Sequence, residues 1–321
     1  MNLLMHRTLT MKDNLFTFEQ IHIEVARAAS DDFNLFHDKH KWLQVTHNPF
    51  KGPIVLGFQL NTLIEYQMRL YREARHEDEI VKENQLRFSN YQIIFVNALR
   101  PRTEASLEVK KTLITTIPEL SLSNRIAIKS QGKTILLGHK KETKTPLFLA
   151  DTDLSGLPDL NGIPDKTVLP GTEFFLKRKW MTNGNVKNFL SGSLAEQSDY
   201  FDELAHVAHY PEVFPVSLTS GALLEKAQLE QHDFKRNPMV YTSHDFSVDR
   251  VHLAQVKNND KLHILVKQLP ESKNNTLNHT SIMLRTYECF GVLENQAVLF
   301  RIKLNLVPLE EIIKNLSSKT Q

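Results

Sequence analysis

A loop aspartate and a histidine five residues further on are the first candidates for a catalytic pair in this sequence. Asp32 and His37 flank Asn34 in a polar stretch, and a carboxylate beside an imidazole can hold a water or a substrate hydroxyl and move its proton. Further along, Gly57 lies where an apolar helix is predicted to begin. A glycine at that point lets the backbone approach a ligand, with unpaired N–H groups directed at developing negative charge. The pattern therefore predicts proton chemistry next to a carbonyl group.

The same stretch resembles the motif of the MaoC-like, (R)-specific enoyl-CoA hydratases, S-G-D-F-N-P-x-H-x-D followed by F-x-x-P-I-x-H-G-M. Residues 30–37 (SDDFNLFH) match its first half and residues 50–58 (FKGPIVLGF) match its second half, without a gap between them. The resemblance implies that Asp32 and His37 are the catalytic pair. It also implies that the N–H of Gly57 polarises a thioester carbonyl as the oxyanion hole.

Two further residues, Phe33 and Asn34, match the motif and are expected to support the site, Asn34 through side-chain hydrogen bonds within the loop. The sequence departs from the motif at three positions. Asp31 replaces a glycine, Leu35 replaces a proline, and Leu56 replaces the histidine of H-G-M. None of the three removes the acid–histidine pair, but Leu56 removes a side chain that helps to shape the site in the family.

Composition limits the classes of protein to consider. The 321 residues suffice for two domains, and the 41% hydrophobic and 24% charged content is ordinary for a folded protein. The net charge of +2 is spread along the chain, which argues against nucleic acid as a partner. The single cysteine, Cys289, excludes a disulfide framework, and no apolar run approaches the roughly 20 residues of a membrane span. Because residues 1–14 lack the pattern of a signal peptide, we expect a cytoplasmic protein.

The first half is predicted to place one long helix before a run of strands. A first helix delivers the loop at 30–39, and a second short helix is expected at about 39–46. From Pro53 an apolar stripe at helical spacing runs for some twenty residues, formed by Leu56, Leu60, Leu63, Ile64 and Met68. After a charged break at 73–80, strand-like alternation follows in 85–96, 103–114, 122–129 and 133–143, with a turn at Gln131-Gly132. This is an α+β layout of a helix packed on a curved antiparallel sheet.

After a linker, the second half weakly repeats the design of the first half. Residues 146–172 hold four prolines, three glycines and no sustained period, so we expect domains at 1–145 and 173–321 joined by that segment. The second half repeats the helix entry and four strand-like segments, at 240–251, 261–269, 280–291 and 296–307. Aligned on the first half, Ser193 stands opposite Asp32 and Ser198 opposite His37. The second half is therefore predicted to keep the fold and to lack the acid–histidine pair.

Together these features resemble the double hot-dog hydratases and dehydratases, in which a catalytic half and a degenerate half pair within one chain. The resemblance implies a lyase that adds water across, or removes it from, the 2,3 bond of an acyl thioester carried by CoA or acyl carrier protein. It implies no metal and no redox cofactor, and it leaves open a further homodimer.

The basic runs Lys110-Lys111, Lys140-Lys141 and Lys177–Lys179 are expected to face solvent, where one could meet the phosphates of CoA or an acidic carrier helix. Two alternatives stay open, namely a non-catalytic acyl-thioester binding protein and a thioesterase on the same fold.

Overall fold

The computed structural model describes residues 15–275 and 281–317, with the side chains of 272–275, 281–282 and 315–317 left out of the description. The signal-peptide prediction for residues 1–14 therefore lies outside the described residues. The helices of the described chain are α1 (Gln20–Ser30), α2 (Gly57–Glu73), α3 (Glu77–Glu83), α4 (Asn183–Gly192), α5 (Val213–Leu229), α6 (Arg250–Leu253) and α7 (Leu309–Ser317). Short 3-10 turns lie at Leu35–His37, Lys41–Gln44 and Gln197–Asp199.

The strands of the first half are β1 (Leu15–Thr17), β2 (Phe88–Phe95), β3 (Glu104–Val109), β4 (Leu113–Thr115), β5 (Ser121–Ser130) and β6 (Lys133–Thr143). The connecting segment carries β7 (Thr167–Val168). The second half contains β8 (Phe175–Met181), β9 (Phe201–Asp202), β10 (Val207–Ala208), β11 (Met239–Asp249), β12 (Asp260–Gln268), β13 (Ser272–Asn275), β14 (Ser281–Leu293) and β15 (Val298–Pro308).

One large sheet contains both halves, and its strand order is palindromic. The order β1-β3-β5-β6-β2 is followed by β11-β15-β14-β12-β8, so corresponding strands of the two halves lie at equal distances from the centre. At the centre β2 pairs with β11 in antiparallel fashion, from Phe88↔Asp249 to Ile94↔Ser243. Each half thus covers the open edge of the other, which removes an exposed edge that would otherwise pair with another chain. The halves pair within the chain, as the sequence predicts.

The two long helices are the centre of the core. Residues 58–66 of α2 and 213–224 of α5 are buried throughout, and the two helices pack against each other while α1 packs against α4. One hydrophobic cluster includes residues of both halves, so the halves share a core as well as a sheet. Burying apolar area of this extent is the main favourable term in folding such a chain.

Several element boundaries differ from the sequence-based predictions. The helix predicted from Pro53 begins at Gly57. Residues 53–56 precede it without regular secondary structure, and Leu56 has an extended backbone. The helix predicted at 39–46 is a 3-10 turn at Lys41–Gln44, and the charged break includes α3. The Gln131-Gly132 turn is present between β5 and β6, with φ of 49° and 73° at its two residues. Positive φ at both central residues is what a two-residue hairpin requires.

The segment at 146–172 also packs on the sheet. Its strand β7 pairs with β8, and its residues Leu160 and Leu169 join a second buried cluster with Leu176, Leu265 and Phe290. Within the described ranges, no helix has the length and apolar character needed to cross a membrane.

The prediction of solvent-facing basic runs is wrong at three positions. Lys140, Lys177 and Lys179 are buried, and each pairs with a carboxylate. A strand places alternate side chains on its inner face whatever their polarity, so these lysines point inward and require partners.

Candidate active site

The end of α1 fixes the direction of the acid. Asp31 adopts φ 53° and ψ 35°, the left-handed conformation that ends many helices, and the next N–H, that of Asp32, donates to the Arg27 carbonyl at 3.0 Å. The Asp32 side chain is buried, and its Oδ1 accepts the N–H of Asn34 at 2.9 Å. The Arg27 Nε donates to the Asp32 carbonyl oxygen at 3.2 Å. Backbone and side chain of the acid are therefore both held by the loop.

The histidine is held in one tautomer. His37 ends the 3-10 turn that follows Asn34, and its Nδ1 lies 2.8 Å from the carbonyl oxygen of Ile54. Because a carbonyl can only accept, the proton is assigned to Nδ1 and Nε2 is left as an acceptor. Burial lowers the pKa of His37, and the nearby Asp32 charge opposes that shift. A neutral imidazole with a free Nε2 is the form suited to taking a proton.

Gly57 is the first residue of α2, and side chains pack closely beside its backbone. Among the described residues none accepts a hydrogen bond from the Gly57 N–H, as expected for a donor in the first turn of a helix. A Cβ at this position would lie 2.9 Å from the Phe95 Cζ and 3.1 Å from the His244 Cε1. A side chain would therefore displace its neighbours, and glycine permits their close approach.

A cavity of about 520 Å³ lies between His37 and Gly57, and a volume of this size is typical of small-molecule sites. From the first half it is lined by Asn34, His37 and Gly57. From the second half it is lined by residues 239–242 of β11 and by Ile312 of α7. The site is therefore built between the halves.

The predicted site residues are not all placed alike. Asp32 does not line the cavity, but its charge acts on both His37 and Tyr241, which do. Phe33 is 41% exposed and packs edge-on against Phe234, outside the cavity. The Asn34 Oδ1 accepts the N–H of Phe36 at 3.1 Å, which closes the loop as expected.

Two residues of β11 complete the surroundings of Gly57, and sequence reasoning missed both. Tyr241 lines the cavity, and its hydroxyl lies 3.1 Å from the Ser220 Oγ. His244 is fully buried, stacks on Phe58, and has its Nδ1 2.9 Å from the amide nitrogen of Asn61. No motif marks either residue, because they reach the site through the pairing of β2 with β11.

At the positions equivalent to Asp32 and His37 the second half has no acid–histidine pair, although these positions differ from the predicted ones. Leu194 follows α4 and has a φ of 59°, like Asp31 after α1. The N–H of the next residue, Ala195, donates to the Leu190 carbonyl five residues earlier, just as the Asp32 N–H donates to the Arg27 carbonyl. The residue at the end of the following 3-10 turn is Asp199. Ala195 and Asp199, rather than Ser193 and Ser198, therefore occupy the places of the acid and the histidine.

The start of α5, which corresponds to the start of α2, is already filled. The two oxygens of Glu65 accept the N–H groups of Glu212 and Val213 at 2.7 and 2.9 Å. Burial and the Glu212 charge raise the pKa of Glu65 to about 8, although the two N–H groups oppose the shift. This arrangement shows, within the same chain, oxygen atoms of a carboxyl group bound at such a helix end.

Three cations stand at the cavity. Lys51, Arg100 and Lys133 line it and are exposed, and the described lining residues include no aspartate or glutamate. None of the three is paired with an acid in the part of the chain that the structure describes. The cavity is therefore suited to a ligand with a negatively charged portion.

Comparison with known proteins identifies the class of fold. A MaoC-like dehydratase matches with a TM-score of 0.54 at 10% identity, covering 92% of this chain and 95% of the other. A structure from Chloroflexus aurantiacus J-10-fl that is named for a MaoC domain gives a TM-score of 0.56 at 10% identity, covering 92% and 93%. A protein from Mycobacterium tuberculosis described as having a double hot-dog fold gives 0.51 at 10% identity, with the same coverage.

No family model matches the sequence, and no curated protein matches it significantly. At 10% identity, structural similarity establishes the fold. The chain is a double hot-dog protein, and the fold predicted from the sequence is confirmed.

Proposed function

We propose that the protein adds water to, or removes it from, the 2,3 bond of an acyl thioester. The observation that carries this proposal is one cavity lined by both His37 and Gly57. His37 is a buried imidazole whose Nδ1 contacts a carbonyl oxygen, and the Gly57 N–H has no acceptor among the described residues. These are the two functions that the reaction needs, a proton carrier and a site for negative oxygen.

In the direction of hydration, a water in the cavity lies at the Nε2 of His37, and the charge of the nearby Asp32 favours protonation of that imidazole. As the water oxygen bonds to C3, one of its protons passes to Nε2 and the electron pair of the 2,3 bond moves toward the thioester oxygen. The N–H of Gly57 stabilises that oxygen. The imidazolium, stabilised by Asp32, then returns its proton to C2, so that water has been added and no other reactant is needed.

The filled end of α5 supports the role given to Gly57. There the first N–H groups of a buried helix hold the two oxygens of Glu65 at hydrogen-bonding distance. At the corresponding end of α2 the Leu56 N–H donates to the Gln59 Oε1 at 3.4 Å, whereas none of the described residues accepts the Gly57 N–H, and Gly57 lines the cavity. An oxygen of the substrate would take the same kind of position.

The carrier of the acyl group is proposed to be CoA or acyl carrier protein. Lys51, Arg100 and Lys133 provide positive charge around the cavity, suited to the phosphates of the first or to an acidic surface of the second. No lining acid would repel either.

The test is the loss of the conjugated enoyl absorbance when the protein meets a short and a medium trans-2-enoyl-CoA. Asp32→Asn should abolish turnover while leaving binding intact, because asparagine keeps an oxygen for the Asn34 N–H but has no negative charge. The matched control is Asp151→Asn, which changes an exposed aspartate in the connecting segment and should leave turnover unchanged. His37→Gln and the exposed His40→Gln form a second pair with the same expectation.

A second candidate is a non-catalytic acyl-thioester binding protein. It is favoured by Leu56, which is 2% exposed beside Gly57 and offers no hydrogen-bonding side chain where the resembling motif has histidine. This candidate predicts acyl-CoA binding without loss of the enoyl absorbance in either the wild type or Asp32→Asn. Release of free thiol would instead identify a thioesterase.

A further inference from the structure

A lysine of the second half reaches the loop that carries the acid. Lys179 lies on β8, on the same face as the core residues Phe175 and Met181. Its side chain is 7% exposed, and its Nζ donates to the Asp31 Oδ2 at 2.7 Å. Burying an ammonium group is costly unless it is paired, so this position on a core-facing strand needs the contact that the structure shows.

Helix α5 is shaped to admit this contact. A Cβ on Gly221 would lie 2.9 Å from the carbonyl oxygen of Asp31 and 3.2 Å from the Lys179 Nζ. Any larger residue would push the loop and the ammonium away from the helix. Strand, helix and loop therefore meet at one point.

Asp31 itself needs a constraint of this kind. Its φ of 53° and ψ of 35° lie in the left-handed region, which favours glycine over residues with a Cβ. Only this conformation directs the next N–H, that of Asp32, back to the Arg27 carbonyl. The resembling motif has a glycine at this position, where no partner would be required.

We propose that Lys179 is a positioning residue, which holds Asp31 in the left-handed conformation and thereby places Asp32 beside His37. This inference rests on the proposed function for the role of Asp32, but the ion pair and its effect on the loop do not depend on it. The second half thus contributes to the geometry of the acid as well as to the wall of the cavity.

The test uses Lys179→Met and a rescue. Methionine keeps the length of the buried side chain without its charge, and the Asp31 side chain, which is 69% exposed, remains solvated. The variant leaves no buried unpaired charge, so it should fold. We expect its hydration rate to fall about tenfold to a hundredfold, because small displacements of a catalytic group have effects of this size.

Adding Asp31→Gly to Lys179→Met should restore the rate to within about threefold of wild type, because glycine adopts the left-handed conformation without a partner. A role limited to stability would not produce this rescue. A wild-type rate in Lys179→Met, or a double variant as slow as Lys179→Met, would overturn the proposal. The double variant carries no charge at either position, so it tests the proposal even if Lys179→Met alone folds poorly.

A second readout does not need turnover. Burial and the Arg27 charge lower the pKa of His37, whereas the Asp32 charge raises it, and NMR can follow the titration of this imidazole. If Lys179→Met lets Asp32 move away from His37, the titration midpoint of His37 should fall, as it should in Asp32→Asn. In the double variant the midpoint should return toward that of the wild type. An unchanged midpoint would refute the inference, whereas a protein that shows these shifts but hydrates no enoyl thioester would refute only the proposed function.

Discussion

Replacing His244 should remove part of the acid sensitivity of the fold. Burial lowers the pKa of His244 to about 3, whereas the ordinary value, expected in the unfolded chain, is 6.5. Below pH 6.5 the unfolded state therefore binds a proton that the folded state does not. The stabilising contribution of this difference is fully present above pH 6.5 and is lost as the pH falls toward 3.

The magnitude follows from the linkage relation. Each pH unit in that window changes the free energy of unfolding by about 1.4 kcal/mol per proton, which gives a loss of about 2 kcal/mol between about pH 6.5 and pH 4.5. His244→Leu removes the titrating group. The substitution also changes the packing against Phe58, Phe95 and Tyr241. That change shifts the unfolding free energy of the variant by the same amount at every pH, so it does not alter the slope of the free energy against pH.

The assay is urea unfolding of the wild type and His244→Leu at a series of pH values between about 7 and 4.5. We expect the difference in unfolding free energy between the two proteins to change by about 2 kcal/mol over this range, with the wild type losing more. The exposed His209→Gln is the control and should run parallel to the wild type. A constant difference between wild type and His244→Leu would show that His244 titrates normally in the folded state and would refute the reasoning.

Three further predictions concern other parts of the site. Gly57→Ala keeps the backbone N–H but places a methyl group 2.9 Å from the Phe95 Cζ, so Phe95 or the start of α2 must shift. We expect turnover to fall at least tenfold while thermal melting still shows a folded protein, and unchanged turnover would show that the reaction does not depend on this close packing. Arg100→Gln and Lys133→Gln should each weaken binding of a CoA thioester about threefold and leave binding of a pantetheine thioester unchanged, as measured by calorimetry. Equal losses of affinity for both ligands would contradict a phosphate contact. Glu65→Ala leaves the N–H groups of Glu212 and Val213 without an acceptor and should lower the unfolding free energy in urea by about 3 kcal/mol. Glu65→Gln keeps one acceptor oxygen and should lower it by less. Equal losses in the two variants would contradict this role of Glu65.

The sequence predicts much of the fold, because the relevant signals are local. Alternation over 133–143 and the Gln131-Gly132 turn locate a hairpin that the structure reproduces. The predicted start of α2, Pro53, lies four residues before the observed start, since proline is compatible with a first helical turn but residues 53–56 are not helical. The alignment of the halves missed Ala195 and Asp199 because these two are four residues apart, whereas Asp32 and His37 are five apart.

The sequence predicts only the part of the site that belongs to the first half, where the motif lies. Asn34, His37 and Gly57 lie within one stretch and line one cavity. Phe33 faces outward because the chain around it is extended, with Asp32 buried and Phe33 exposed. His244 and Lys179 could not be predicted, because strand pairing and helix packing between the halves bring them to the loop and to Gly57.

The most direct measurement of the central claim is the fate of oxygen-18 from labelled water. The protein is incubated with a trans-2-enoyl-CoA in H₂¹⁸O and the products are resolved by mass spectrometry, with Asp32→Asn alongside. We expect label on C3 of an intact 3-hydroxyacyl-CoA for the wild type and no labelled product for the variant. Label in a released carboxylate would identify a thioesterase, and substrate that binds but gains no label from the wild type would contradict the account.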